Sequence, residues 1–222
     1  MTDMTIEALF DLNRTQAGEF ISSFVYPWEV LPEIGRWIKE FGKTLPENEY
    51  DQIEESVWIA KSVKRYPNTY IAGPAIIGPE TEIRPGAFIR GNAFIGSKCV
   101  VGNSTELKNV ILFDEAKVPH YNYVGDSILG FKSHMGAGSI TSNMKQDESN
   151  IVIKRNNTLI ETGLRKFGAI LGDNVEIGCG AVLNPGTVVG SASRVYPLSM
   201  VRGFIPGNTI YKNDGTQVTI AR

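Results

Sequence analysis

Aliphatic side chains recur every six residues along two stretches of the chain. The first stretch contains Ile71, Ile77, Ile83, Ile89, Ile95 and Val101, and the second contains Leu171, Ile177, Leu183, Val189 and Val195. A small or β-branched residue stands four places after each of these positions, and glycine directly follows several of them. A period of six fits neither a helix of 3.6 residues per turn nor the two-residue alternation of an isolated strand.

This period fits a short strand followed by a tight corner, so that three such sides close a triangular coil. The aliphatic side chain then points into the prism, and the small residue lies where a corner leaves little room. Stacked coils pair their backbones at a spacing of about 4.8 Å. The sequence therefore predicts a mainly β fold, a hexapeptide-repeat parallel β-helix over residues 56–205. Known hexapeptide prisms wind left-handed, and this resemblance implies a left-handed β-helix.

The first 55 residues do not repeat and carry a helical pattern instead. Leu31, Ile34, Ile38 and Phe41 recur at the spacing of an amphipathic helix. We expect residues 1–55 to form a helical cap that packs on the first coil. A docking surface for another protein is the alternative interpretation.

Two further segments leave the six-residue period. Residues 143–166 form a polar insertion, and long insertions in compact repeats are more often functional than accidental. Residues 206–222 are predicted to form a C-terminal hairpin of two short strands around an Asn-Asp-Gly turn.

The composition excludes several classes of protein. The formal net charge of −2 lacks the basic excess with which nucleic-acid binders neutralise phosphates. No apolar run approaches the roughly 20 residues that span a bilayer, so no membrane association is expected. The N-terminus has neither the basic nor the apolar region of a signal peptide. The two cysteines, Cys99 and Cys179, lack CxxC spacing, and a reduced, cytoplasmic compartment is expected.

Charged residues fall at positions that the coil length brings together. Arg90 and Lys108 are 18 residues apart, so they should stack about 5 Å apart on adjacent coils. A phosphate between them would relieve their repulsion, although both could equally point into solvent. Glu106 precedes Lys108 by two residues, and His120 follows. Together they could form an acid–base and anion-binding group, although a lone loop histidine is more often a bystander.

The segment GNSTELKNVILFDEAKVPHYNYVGDS, followed by GAGSITSN, carries more specific information. It resembles the acetyltransferase half of bifunctional N-acetylglucosamine-1-phosphate uridyltransferase/glucosamine-1-phosphate acetyltransferases. It is still more similar to sugar-1-phosphate nucleotidylyltransferase/acetyltransferases, whose pattern includes the PHxxYVGDS stretch and a later GxRKxGAxxG. The similarity covers roughly residues 70–205.

The resemblance implies a homotrimer with active sites between subunits, which transfers an acetyl group from acetyl-CoA to an amino-sugar phosphate. It implies that His120 is the general base, with Glu106 as its acidic partner. The substrate-binding residues that it implies are Arg90, Lys108, Tyr123, Asn143 and Lys166, with Arg84 as the alternative to Arg90 by motif. The residues that it implies for acetyl-CoA are Ala137, Cys179, Tyr196 and Pro197. No metal is implied.

The chain departs from the family pattern at several positions. His134 and Met144 replace an asparagine and a tyrosine, and Cys179 replaces a serine of the acetyl-CoA site. These changes concern the sugar and cofactor pockets, so the resemblance does not determine the amino sugar. The first 60 residues carry no glycine-rich loop with basic residues, so we expect a separate nucleotidyltransferase to supply any uridyltransferase activity.

The favoured hypothesis is an acetyl-CoA-dependent N-acetyltransferase acting on glucosamine-1-phosphate, in the synthesis of UDP-N-acetylglucosamine. One alternative is acylation of another, nucleotide-linked amino sugar. A second is a non-catalytic trimeric scaffold that binds a separate nucleotidyltransferase. Zinc-dependent chemistry on this fold needs three histidine ligands, and the chain has two histidines.

Overall fold

Stacked parallel strands form three faces of a prism in the computed structural model of the chain, which describes residues 2–155 and 158–220. The predicted parallel β-helix is confirmed, because each face consists of strands paired in parallel with the coils before and after. Successive coils mostly pair with an offset of 18 residues, as in Ala75 with Ala93 and Glu82 with Val100.

The strands fall into three sets in the order in which each coil visits the faces. Face 1 contains Val57–Ala60, Ala75–Ile77, Ala93–Ile95, Ala169–Leu171, Thr187–Val189 and Phe204–Ile205. Face 2 contains Lys64–Arg65, Glu82–Ile83, Val100–Asn103, Lys117–His120, His134–Met135, Glu176–Ile177, Arg194–Val195 and Thr209–Tyr211. Face 3 contains Tyr70–Ile71, Phe88–Ile89, Ile140–Thr141, Val182–Leu183 and Met200–Val201. Two longer strands, Glu106–Leu112 and Tyr123–Leu129, begin on face 3 and end on face 1.

The interior of the prism is the aliphatic column that the period predicts. All eleven repeating aliphatic side chains are buried in one continuous core. Where the sequence pattern slips, the coils are one residue shorter, because Glu106 pairs with Tyr123 and Tyr123 pairs with Ile140. The residue that these shorter coils lack is missing from the corner between faces 3 and 1. There Asn109 and Asp126 adopt left-handed backbone conformations, with φ of 54° and 48°, which asparagine and aspartate tolerate better than most residues.

The N-terminal segment, residues 2–45, lies along face 1. It contains three short α-helices, α1 (Ile6–Leu9), α2 (Gly18–Ser22) and α3 (Ile34–Gly42), and three 3₁₀ turns, Thr2–Met4, Leu12–Arg14 and Pro27–Val30. Its buried side chains form a second core with the outward residues of face 1, which are Ile76, Phe94, Ile111, Ile128, Ile170 and Val188. The segment therefore covers the side of many coils rather than only the first one. No helix of the described residues is long and apolar enough to cross a membrane.

Antiparallel strands occupy the two ends of the prism and the insertion. Tyr50–Glu54 pairs with the first strand of face 1, so the last part of the predicted helical region is a strand. The predicted C-terminal hairpin is formed by Thr209–Tyr211 and Gln217–Thr219. Within the 143–166 insertion, Val152–Arg155 pairs with Thr158–Glu161 in antiparallel orientation.

Candidate active site

His120 lies at the corner between faces 2 and 3. It ends the strand Lys117–His120, and Tyr121 then turns the chain with a left-handed φ of 51°. The backbone of His120 is fixed on both sides. Its N–H donates to Asn122 Oδ1 at 3.1 Å, and its carbonyl accepts from Gly138 N–H at 3.0 Å. The imidazole is exposed and makes no hydrogen bond with any residue in the described ranges. Its nitrogens are therefore available to a substrate.

The four residues that the resemblance implies for acetyl-CoA line up along the same corner. Gly138 bonds to His120, Gly180 N–H donates to the carbonyl of Ala137 at 2.9 Å, and Leu198 N–H donates to the carbonyl of Cys179 at 2.9 Å. One residue per coil therefore follows His120 toward the C-terminal end of the prism, at steps of about 4.8 Å. The side chains of Cys179, Tyr196 and Pro197 are exposed along this edge.

Glu106 contacts an arginine on face 3. Its Oε1 accepts from Arg90 Nη1 at 2.6 Å, and this hydrogen bond, with the charge of the carboxylate, raises the pKa of Arg90. The pairing of Glu106 with Phe88 places Arg90 and Lys108 on adjacent coils, as the spacing predicts. Their repulsion is offset by carboxylates, however, because Lys108 Nζ lies 3.2 Å from Asp126 Oδ2.

The two candidate arginines occupy different faces. Arg84 follows the face 2 strand Glu82–Ile83, and its Nε lies 3.1 Å from Glu82 Oε1. Arg90 follows the face 3 strand Phe88–Ile89 and contacts Glu106. Arg90 therefore shares a face with Tyr123 and Lys108, whereas Arg84 does not.

Asp126 organises the corner between faces 3 and 1. Its side chain is almost fully buried and accepts from three donors: Lys108 Nζ at 3.2 Å, Asn109 Nδ2 at 2.9 Å and Asn143 Nδ2 at 2.5 Å. A buried carboxylate requires such partners. Asp126 and Asn109 are not among the site residues predicted from the sequence, although Asp126 stands within the YVGDS motif that carries the resemblance.

Tyr123 and Asn143 are brought together on face 3. Asn143 Nδ2 donates to the hydroxyl of Tyr123 at 3.2 Å. Burial raises the pKa of the Tyr123 hydroxyl, and the carboxylates of Asp126 and Glu106 raise it further. Tyr123 therefore remains a neutral hydroxyl group that can donate and accept hydrogen bonds.

A cleft of about 510 Å³ opens beside Asp126. Its lining consists of Leu31, Pro32, Asn109, Asp126, Met144, Leu164, Arg165 and Lys166. Lys166 is exposed and forms no ion pair within residues 2–155 and 158–220. The Arg165 guanidinium at the same rim lies 2.7 Å from Glu148 Oε2. The cleft thus combines a polar floor, two apolar walls and a cationic rim.

Face 3 separates the two groups of predicted residues. His120 and the acetyl-CoA residues lie at one edge, whereas Asn143 and Lys166 lie at the other. The strand segment between them, Tyr123–Gly125, spans about 10 Å at roughly 3.3 Å per residue. One chain therefore presents an exposed imidazole at one edge of face 3 and a cleft with a cationic rim at the other.

Comparison with known proteins identifies related chains. The family model of the GMPPB C-terminal domain matches residues 71–191. A bifunctional protein GlmU of Methanococcus vannielii is 35% identical over 197 residues, covering 85% of this chain and 46% of the relative. A bifunctional sugar-1-phosphate nucleotidylyltransferase/acetyltransferase of Sulfurisphaera tokodaii is 31% identical over 179 residues, covering 79% of this chain and 44% of the relative. The chain thus spans about half the length of these relatives.

Among solved structures, the acetyltransferase domain of PglB from Neisseria gonorrhoeae is similar in an alignment that covers 83% of this chain and 64% of the PglB chain. Its TM-score is 0.41 and its sequence identity 18%. Similarity at this level does not transfer function.

Proposed function

Because the chain belongs to the family of the GMPPB C-terminal domain, we propose that it is an acetyl-CoA-dependent N-acetyltransferase that acts on an amino-sugar 1-phosphate. Glucosamine-1-phosphate is the expected substrate, which would place the reaction in UDP-N-acetylglucosamine synthesis. The observation that carries the proposal is the row of residues at the corner between faces 2 and 3. The exposed imidazole of His120, which makes no hydrogen bond within the described residues, lies at the start of this row. The residues that the resemblance implies for the cosubstrate follow it. The Sulfurisphaera tokodaii relative is a sugar-1-phosphate nucleotidylyltransferase/acetyltransferase, which supports a sugar 1-phosphate as the substrate.

His120 acts as the general base in the proposed reaction. The neutral amine of the sugar attacks the thioester carbonyl carbon, and His120 accepts the proton that the nitrogen loses. The C–S bond then breaks, and the coenzyme A thiolate takes up that proton from His120. A positioned base of this kind contributes about 10²–10⁴-fold to the rate. Backbone N–H groups near the corner are the expected donors to the developing oxyanion.

Acetyl-CoA is proposed to lie along the corner between faces 2 and 3. Its thioester would lie at His120 and its pantetheine arm would pass Ala137, Cys179 and Pro197. These positions fall on successive coils, so an extended chain can follow them without bending. Cys179 fits this role through its small side chain.

The proposed oligomer is a homotrimer in which a second subunit completes each site. Within one chain, His120 and Lys166 lie at opposite edges of face 3, so a sugar held at Lys166 of one subunit would meet His120 of a neighbour. Large apolar side chains are exposed on face 3 and along its edge with face 2. They are Tyr70, Phe88, Tyr121, Tyr196, Leu198 and Met200. Exposed apolar side chains grouped at both ends of one face are consistent with an interaction site.

Thiol release from acetyl-CoA in the presence of glucosamine-1-phosphate tests the proposal. We expect His120→Ala to lower kcat about 100-fold or more. Lys117→Ala changes an exposed residue of the same strand and should leave the rate unchanged. Equal rates for the native chain and His120→Ala would exclude His120 as the base.

The acceptor is tested in the same assay. Turnover only with a nucleotide-linked amino sugar would replace the sugar phosphate by that class. Absence of turnover with glucosamine-1-phosphate, galactosamine-1-phosphate and UDP-linked amino sugars would overturn the enzyme proposal and favour a scaffold that binds a separate nucleotidyltransferase.

A further inference from the structure

We propose that the N-terminal segment is part of the substrate site, and that its Leu31–Pro32 turn forms one wall of the cleft that holds a sugar monophosphate. This inference rests on the proposed function, since it assigns the sugar phosphate to the cleft at Asp126. It concerns residues 2–45, which lie outside both the hexapeptide repeats and the 143–166 insertion that carry the predicted site residues.

The lining of the cleft suits a pyranose ring. Leu31 and Pro32 form an apolar wall on the side of the N-terminal segment, and Met144 and Leu164 supply apolar surface from the insertion. A pyranose presents C–H groups on its two faces and hydroxyl groups around its edge. Apolar walls with a few placed polar groups are the usual composition of a small-molecule site.

A hydrogen-bonded chain fixes the turn to the floor of the cleft. Asn109 Nδ2 donates to the carbonyl of Leu31 at 3.2 Å and to Asp126 Oδ1 at 2.9 Å. Asp126 in turn accepts from Asn143 and Lys108. Asn109 is therefore a positioning residue, which sets the wall in register with the side chains that the resemblance implies for the substrate.

The charge at the rim favours a phosphate group. The floor carboxylate of Asp126 is neutralised by Lys108, and Arg165 is paired with Glu148. Lys166 lines the cleft without a carboxylate partner in the described part of the chain. A ligand dianion would thus meet an uncompensated cation at the rim and would form charge-assisted hydrogen bonds there.

Pro32 offers a test that avoids disrupting the core. Leu31 is buried, whereas Pro32 is exposed, so Pro32→Glu introduces a negative charge into the wall with little cost to folding. Pro46→Glu is the matched control, because Pro46 is an exposed proline just beyond the N-terminal segment and does not line the cleft. Isothermal titration calorimetry with glucosamine-1-phosphate, with and without saturating coenzyme A, reads binding without turnover. Glucosamine and inorganic phosphate serve as separate probes.

We expect Pro32→Glu to weaken glucosamine-1-phosphate binding roughly fivefold or more through repulsion of the phosphate. Pro32→Lys should bind at least as tightly as the native chain, and Pro46→Glu should bind equally. Glucosamine has no phosphate and its protonated amine is a cation, so its binding should not be weakened in Pro32→Glu. Unchanged affinity in Pro32→Glu, or no binding by the native chain in either condition, would overturn the inference. Binding without thiol release would instead contradict acetyl transfer and leave the cleft assignment standing.

Discussion

The Arg90 guanidinium lies 2.6 Å from the carboxylate of Glu106, one coil further along face 3. The resemblance implies that Glu106 assists His120, but in the structure Glu106 holds Arg90 on the same face as Tyr123. Both side chains are partly exposed, so their pairing adds little to stability. The main effect of the contact is therefore to orient the Arg90 side chain.

The difference between the two candidate arginines leads to the first prediction. We expect Arg90→Ala to raise the KM for glucosamine-1-phosphate about tenfold, because a charge-assisted contact to phosphate is lost. Arg84→Ala removes an equivalent ion pair on face 2 and should not change this KM. Steady-state kinetics of both variants decides between them, and a larger effect of Arg84→Ala would reverse the assignment.

Because His120 and Lys166 lie at opposite edges of face 3, two inactive variants, each lacking one of these residues, should restore activity when they assemble together. His120→Ala and Lys166→Ala should each be inactive alone. If each site takes one residue from each of two neighbours, random mixed assembly restores both at about a quarter of the interfaces. Thiol release after co-refolding a 1:1 mixture measures this recovery. No recovery, with mixed assemblies verified by mass, would place both residues in a site within one chain.

Close approach of the backbone between two adjacent strands of face 2, Val100–Asn103 and Lys117–His120, predicts a severe stability effect. A β-carbon at Gly102 would overlap the carbonyl oxygen of Pro119 on the next coil, and backbone cannot easily move in a stacked prism. We expect Gly102→Ala to cost about 3 kcal/mol, which lowers Tm by roughly 6–12 °C. At Gly207 a β-carbon would lie 3.1 Å from its nearest neighbour, so Gly207→Ala should cost much less. Similar Tm values for the two variants in thermal denaturation would contradict this account.

Burial raises the pKa of the Asp114 carboxyl. Because the folded pKa lies above the unfolded one, Asp114 contributes stability at low pH that is lost as the pH rises through the folded pKa. Asp114→Asn keeps an oxygen that can accept from Ser97 N–H, a contact of 2.7 Å, and does not ionise. We therefore expect the Tm of Asp114→Asn, relative to the native chain, to increase from pH 4 to pH 7.

Asp114→Ala is the control for this titration. It removes the acceptor and leaves Ser97 N–H unsatisfied, so it should be destabilised across the whole pH range. A Tm difference between native and Asp114→Asn that does not vary with pH would show that Asp114 does not titrate differently in the folded state.

The six-residue period was sufficient to predict the interior of the prism. It identifies an inward side chain such as Ile83 without reference to any other part of the chain, because each coil repeats the same local geometry. The slip after Leu107 was visible as a break in the pattern. Its cause, a residue removed at the Asn109 and Asp126 corners, was not visible, since many deletions would interrupt a repeat equally well.

The sequence also contains a pattern that indicates where the N-terminal segment packs, and this pattern is separate from the six-residue period. On face 1 the residue before each inward aliphatic is also apolar, as in Ile76, Phe94 and Ile170. A second apolar residue at this position indicates that the outside of the face is covered. By contrast, the partners of Lys108 and Arg90 could not be predicted, because side-chain ion pairs across coils depend on rotamers rather than spacing.

Both ends of the prism carry a strand that runs against the direction of the coils. A stack of parallel coils presents open backbone groups at each end, and such an end is a template for another chain. Tyr50–Glu54 and Gln217–Thr219 occupy these positions in antiparallel pairing, and most of their side chains are exposed. Parallel stacking of a second copy along the axis is therefore disfavoured on the faces that these strands cover, face 1 at one end and face 2 at the other. Association through the sides of the prism does not meet this obstacle.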